Sequence, residues 1–163
     1  MPDRAPAQVK VKGLADYLEV LTKAVFQAGI SWRVIESKWD GFREAFHGFD
    51  VERVAGLGAK DIDKLAADTR IVRNRKKIEA TVENARTMLE LDVEHGGFRK
   101  YLRSFGGFEE LVADLRKHFR WLGDMGAYYW LYVVGEQVPS HDEWMARQAK
   151  SSTRKRAGAR SRG

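Results

Sequence analysis

The chain has 163 residues, 44% hydrophobic and 32% charged, which is enough apolar side chain for one globular domain and excludes a wholly disordered protein. It has no cysteine, which excludes disulfides and thiolate metal sites. With no apolar run near the roughly 20 residues of a membrane span and no signal segment, it reads as a cytoplasmic protein without membrane contact. The net charge of +6 comes from the C-terminus: Lys150, Arg154, Lys155, Arg156, Arg160 and Arg162 stand there with no acidic residue, leaving 23 of the 29 basic residues against 23 acidic ones elsewhere.

Residues 1–12 are polar, hold two of the three prolines, and read as a loose arm. Leu14, Tyr17, Leu18, Leu21 and Val25 then recur at helical spacing. This first helix is expected to stop near Ala28 and Gly29, because glycine suits a helix C-terminus. Ser31 fits an N-cap for a helix that puts Ile35, Trp39 and Phe42 on one face and runs to about Phe46. Asp50 caps a short helix, Val51 to Leu57, and another follows from about Lys60 to Ala67. The longest periodic stretch carries Ile78, Val82, Ala85 and Leu89. The phrase GGF occurs at Gly96 and Gly106, each time before an amphipathic segment, and reads as two helix starts rather than a repeat. The segment GAYYWLYVV, from Gly126 to Val134, suits a buried helix. Ser140 and Glu143 have the spacing of a capping box. With no strand signal, the class is all-α with about eight helices in one domain, 13–149, followed by a basic tail, 150–163, expected to be disordered. The tail is either a solvated end or a phosphate-binding arm acting through counterion release.

Three features bear on chemistry. The start of the longest helix is crowded with Arg73, Asn74, Arg75, Lys76 and Lys77. Cations there oppose the helix dipole, yet free amides and positive potential suit an anion such as a phosphate. Five tryptophans are many for this length; most read as core, but Trp32 follows a turn and is placed to line a pocket and stack on a planar ligand. Nucleotide-binding glycine loops, metalloprotease motifs and His/Cys clusters are absent, and His47, His95, His118 and His141 are scattered.

The segments QAGISW (Gln27–Trp32), FREAFHGFD (Phe42–Asp50), IVRNRKKIEATVENAR (Ile71–Arg86) and, more loosely, FRWLGDMGAYYWLYVVG (Phe119–Gly135) together resemble the 3-methyladenine DNA glycosylase I family, within the helix-hairpin-helix glycosylases. The resemblance covers roughly Leu14 to Met145. It implies an all-α helix-hairpin-helix glycosylase fold and hydrolysis of the N-glycosidic bond of an alkylated purine flipped out of double-stranded DNA, a task that needs a pocket and a phosphate grip. By that resemblance Trp32, Gln27 and position 24 border the base pocket and Ile30 enters the duplex as a wedge. The Asp68–Arg75 turn is the hairpin, with Thr69, Arg70, Arg73, Asn74, Arg75 and Lys76 along the DNA backbone. The family's base-reading Glu is replaced by Ala24, which leaves Glu36 and Asp124 as carboxylate candidates for catalysis. A catalytically inactive, lesion-sensing DNA-binding protein and a glycosylase of altered specificity stay open as alternatives. The zinc that ties the family's termini is expected to be absent, because Met145 stands where a Cys would follow His141. The expected protein works as a monomer, without cofactor, at the nucleoid.

Overall fold

The computed structural model describes the backbone of residues 5–161 and the side chains of residues 5–151. The described residues form ten α-helices and one 3-10 turn, with no strand. Two helices organise the rest. The first, α1 (Leu14–Gln27), ends at Ala28, and Gly29 takes a left-handed φ of 75°. The expected second helix is divided into α2 (Trp32–Ser37) and α3 (Trp39–Ala45). The break falls at Lys38, where the Ser37 hydroxyl donates back to the Val34 carbonyl at 2.8 Å and competes with the helix ladder. Ile35, Trp39 and Phe42 are nevertheless all buried, so one apolar face survives the break. Ser31 precedes α2 but its side chain makes no capping bond. Trp39 stacks on Phe42 and on Phe49 at ring separations of 4.9 and 5.5 Å, joining α3 to the turn His47–Phe49.

Asp50 accepts from the Arg53 amide at 3.0 Å and starts α4 (Val51–Ala55); α5 (Ala59–Ala66) follows. The second organising helix, α6 (Arg75–His95), is capped by Asn74, whose side chain accepts from the Lys77 amide, and it packs on α1, α4, α5 and α7. The two GGF phrases open α7 (Phe98–Leu102) and α8 (Phe108–His118). The apolar α9 (Asp124–Val133) is buried on most sides and lies on α1. Ser140 accepts from the Glu143 amide at 3.2 Å at the start of α10 (His141–Ser161).

Both ends differ from expectation. The described part of the arm is docked on carbonyls at the end of α9: the Val9 amide donates to the Val133 carbonyl at 2.9 Å and the Gln8 side chain to the Tyr132 carbonyl at 2.8 Å, which also accepts from the Gly135 amide. The segment from Lys150, expected to be disordered, continues α10 as far as Ser161; its Ala, Arg and Lys residues are good helix formers. The basic side chains beyond Ser151 lie outside the described residues.

Candidate functional site

The cleft beside Trp32 gathers the chemistry. Its volume is about 460 Å³, and its walls come from α1, α2, α3, α9 and the docked arm. On α1, Asp16, Glu19, Lys23 and Gln27 recur at spacings of three and four, so all point to one side. Trp32, the first residue of α2, is 39% exposed and lines the cleft. Its position follows from the turn: the chain leaves α1 through Gly29, and the new helix starts with the indole beside the one it left. A larger cavity, about 880 Å³, lies near α7 and the end of α9; its charged groups, Arg103 and Glu136, are spent on each other at 3.1 Å.

The cleft is electrically organised. Glu19 Oε2 accepts from Trp39 Nε1 at 2.8 Å and from Arg43 Nε at 2.7 Å, which leaves Glu19 Oε1 without a hydrogen-bond partner among the described residues. Glu36 pairs with Lys23 at 2.5 Å, and the Lys23 ammonium stands 5.3 Å from the centre of the Trp39 ring. Three carboxylates (Asp16, Glu19, Glu36) against Lys23 and Arg43 make the lining net negative. Tyr129 is 7% exposed. Burial pushes its phenol up to about 12, aided by the charges of Glu36 and Glu19 and opposed by a hydrogen bond with Gln27.

The candidate residues are only partly brought together. Trp32, Gln27 and Glu36 share the cleft. Ala24 is buried between α1 and α9, 3.8 Å from where a Cβ on Gly126 would stand, and does not line the cleft. Asp124 faces α8 and pairs with Arg116 at 2.8 Å, away from Trp32. Ile30 is half-buried against the core. Glu19 and Tyr129 are the cleft residues that the sequence reading missed. The spacing of Glu19 from Lys23 and Gln27 was a signal for Glu19; Tyr129 has none, since it sits in a run of core aromatics.

The basic turn is a second surface. The Thr69 carbonyl accepts from Lys38 Nζ at 3.1 Å, and the turn lies so close to α3 that a Cβ on Gly41 would stand 2.2 Å from the Arg70 carbonyl. Arg70 pairs with Asp68 at 2.8 Å, and that guanidinium holds the Asp68 carboxyl below its usual range. Arg75 pairs with Asp63 at 2.6 Å. Arg73 and Lys76 are exposed, with no ion-pair partner among the described residues. The amides of Thr69, Val72 and Arg73 have no acceptor there either. Much of the following helix serves the fold. Lys77 is 3% exposed and donates to the carbonyls of Phe26 and Ala28, capping α1, and burial lowers its pKa. Arg86 donates to the carbonyls of Ala55 and Leu57, capping α4.

No group of three or more His, Asp or Glu side chains placed to hold a metal occurs among the described residues. The zinc implied by the resemblance does not fit: His141 is a buried imidazole whose Nε2 has no partner, Met145 replaces the expected Cys, and the chain has no thiolate to offer.

Residues 9–122 match a family described as methyladenine glycosylase. The DNA-3-methyladenine glycosylase of Haemophilus influenzae is 36% identical over 89 residues, 55% of this chain and 48% of that protein. DNA-3-methyladenine glycosylase 1 of Escherichia coli is 37% identical over 88 residues, 54% of this chain and 47% of that protein. The matched segment thus spans about half the length of these curated relatives. The 3-methyladenine DNA glycosylase I of Staphylococcus aureus, solved for the basis of its 3-methyladenine recognition, superposes with a TM-score of 0.70 at 28% identity, over 79% of this chain and 80% of that one.

Proposed function

Because the chain belongs to the methyladenine glycosylase family, we propose that it is a base-excision repair DNA N-glycosylase that releases an alkylated purine flipped from duplex DNA into the Trp32 cleft. The observation that carries this reading is the cleft itself, where an exposed indole at a turn faces a net-negative wall. An N-alkylated purine is a planar cation, and an aromatic face attracts a cation by roughly 0.5–2 kcal/mol. Trp32 stacks on the base. Gln27 and the phenol of Tyr129, kept protonated by burial, present hydrogen-bonding groups to its edge. Glu19 Oε1 is the carboxylate oxygen left for the base, and it takes the place of the missing carboxylate at Ala24.

The chemistry asks little of the protein. The C1′–N bond breaks with its electron pair going to the base, which leaves neutral, so no acid is needed. Positive charge moves to the deoxyribose, where the field of Glu19 and Glu36 favours it. A water then adds at C1′ and loses a proton. The duplex is held at Arg73, Lys76 and the turn amides. The protein works as a monomer, at the nucleoid, without zinc. Among the described residues no helix is long and apolar enough to cross a membrane.

The test is release of free base from methylated duplex DNA by the purified chain, with Glu19→Gln beside it. Release by the natural protein that falls at least tenfold in Glu19→Gln is the expected result. Tight DNA binding without any release would identify a lesion-sensing protein instead.

A further inference from the structure

Trp121 is the most exposed tryptophan of the described residues, at 51%, and its backbone has φ 58°. A left-handed conformation is unfavourable for a bulky residue, and so is an indole left in water. Two unfavourable features at one residue need a cause.

The neighbours show that the placement is built. Asn84, 1% exposed on α6, grips the residue before it at both backbone atoms: its Oδ1 accepts from the Arg120 amide at 2.8 Å and its Nδ2 donates to the Arg120 carbonyl at 3.3 Å. The Arg120 side chain pairs with Glu83 at 2.6 Å. The residue after it, Leu122, is buried. Between these fixed flanks Trp121 points outward in its left-handed conformation. Backbone strain held in this way clusters at sites of function.

The ring also stands in a telling place. The Lys77 ammonium is 5.8 Å from its centre, and the same ammonium caps the Ala28 carbonyl in the turn between α1 and α2. Two exposed tryptophans therefore flank that turn, Trp32 on the cleft side and Trp121 on the α6 side. Arg73, two residues ahead of α6, and Lys76, beside Lys77, are exposed and without an ion-pair partner among the described residues.

We propose that Trp121 is a second stacking residue, outside the cleft, that covers a base of the duplex left without its partner when the target nucleotide is extruded. This rests on the DNA glycosylase reading. An extruded base leaves an exposed π-face in the helix, and base–aromatic stacking does not depend on which base is present. The surrounding cations fit a partner with a phosphate backbone. Trp121 touches neither the reacting bond nor the cleft; it stabilises the opened duplex.

The test compares the full chain with Trp121→Ala, Trp121→Phe and Trp121→Gly on two duplexes, one undamaged and one with a tetrahydrofuran abasic-site analogue opposite thymine. Trp121→Ala should weaken binding to the abasic duplex by about five- to a hundredfold, the range stacking gives, and weaken undamaged binding much less. Trp121→Phe should restore most of the loss. Trp121→Gly, which relieves the backbone strain, should melt higher than the natural protein while binding the abasic duplex as poorly as Trp121→Ala. Unchanged affinity in Trp121→Ala, or equal loss on both duplexes, would overturn the inference. So would a protein that binds neither duplex, or a self-association that Trp121→Gly abolishes. Intact DNA binding without base release would count against the glycosylase reading alone, leaving the stacking difference to be judged on its own.

Discussion

Trp32 and Tyr129 both border the cleft, but they answer to different forces. Trp32 is more than a third exposed, so Trp32→Ala removes little buried surface. Its melting temperature should fall by less than the roughly 3–5 kcal/mol cost of emptying a buried Trp site would produce, while affinity for a lesion-containing duplex drops by about 1–3 kcal/mol. A calorimetric melt beside a binding titration separates the two effects. Tyr129 is the reverse case, a buried phenol pushed up to about 12. Its folded pKa lies above the unfolded value near 10. Its contribution to stability is therefore intact below about pH 10 and is lost as pH rises from there toward 12. Denaturant unfolding at pH 8, 10 and 11.5 should show a steeper alkaline decline in the natural protein than in Tyr129→Phe. At this scale the sequence spoke unevenly. Trp32 was legible because a glycine turn precedes it. Tyr129 was not, because the difference between a core tyrosine and a cleft tyrosine is set by where α1 lies across α9.

The elements show how a motif divides its labour. The start of the longest helix, Arg73 to Lys77, reads as one basic cluster, yet Lys77 is turned inward onto the carbonyl end of α1, as further along Arg86 is onto α4 and Asn84 onto Arg120. Arg73 and Lys76 stay exposed, with no ion-pair partner among the described residues. One-dimensional charge patterning cannot separate the two groups, since both carry the same side chains and the sorting depends on which carbonyls end nearby. The helix starts were legible where an Asp or Ser stood before a periodic run, as at Asp50 and Ser140, whereas Asn74, read as a DNA-backbone residue, turns its side chain onto the Lys77 amide and caps α6. The break at Lys38 was not, because the apolar spacing continues through it. The contact of the basic turn with α3 gives a sharp test. Gly41 sits where a Cβ would meet the Arg70 carbonyl at 2.2 Å, and that atom is backbone, so it cannot swing aside. Gly41→Ala should cost about 1–3 kcal/mol as overpacking does, and should weaken DNA binding by displacing the turn. Thermal melts and a filter-binding titration check both parts; full stability with full affinity would show that the turn yields freely.

For the whole molecule, charge is concentrated where the structure continues α10 through the basic end. Basic residues that meet a nucleic-acid backbone add phosphate neutralisation without adding sequence preference. The slope of log affinity against log salt should therefore be smaller for a chain ending at Ala149 than for the full chain, by about 0.9 for each phosphate that the basic end neutralises. An identical slope would make the end a bystander. The all-α class was legible because segment after segment from Leu14 onward carries helical spacing and none carries strand alternation. The docking of the first residues was not, since their partners are carbonyls more than a hundred positions away, and a carbonyl has no letter in the sequence.

That docking gives the cleft one of its walls. Pro6, Ala7 and Val9 form one side of it, in a segment without helix that hydrogen-bonds to α9 through the Val9 amide and the Gln8 side chain. A wall of this kind contributes none of the buried core cluster, and segments with few buried apolar contacts belong to the low-stability end of a structure. The cleft is thus bounded on this side by a strap whose contacts are separate from the helix packing that forms the core.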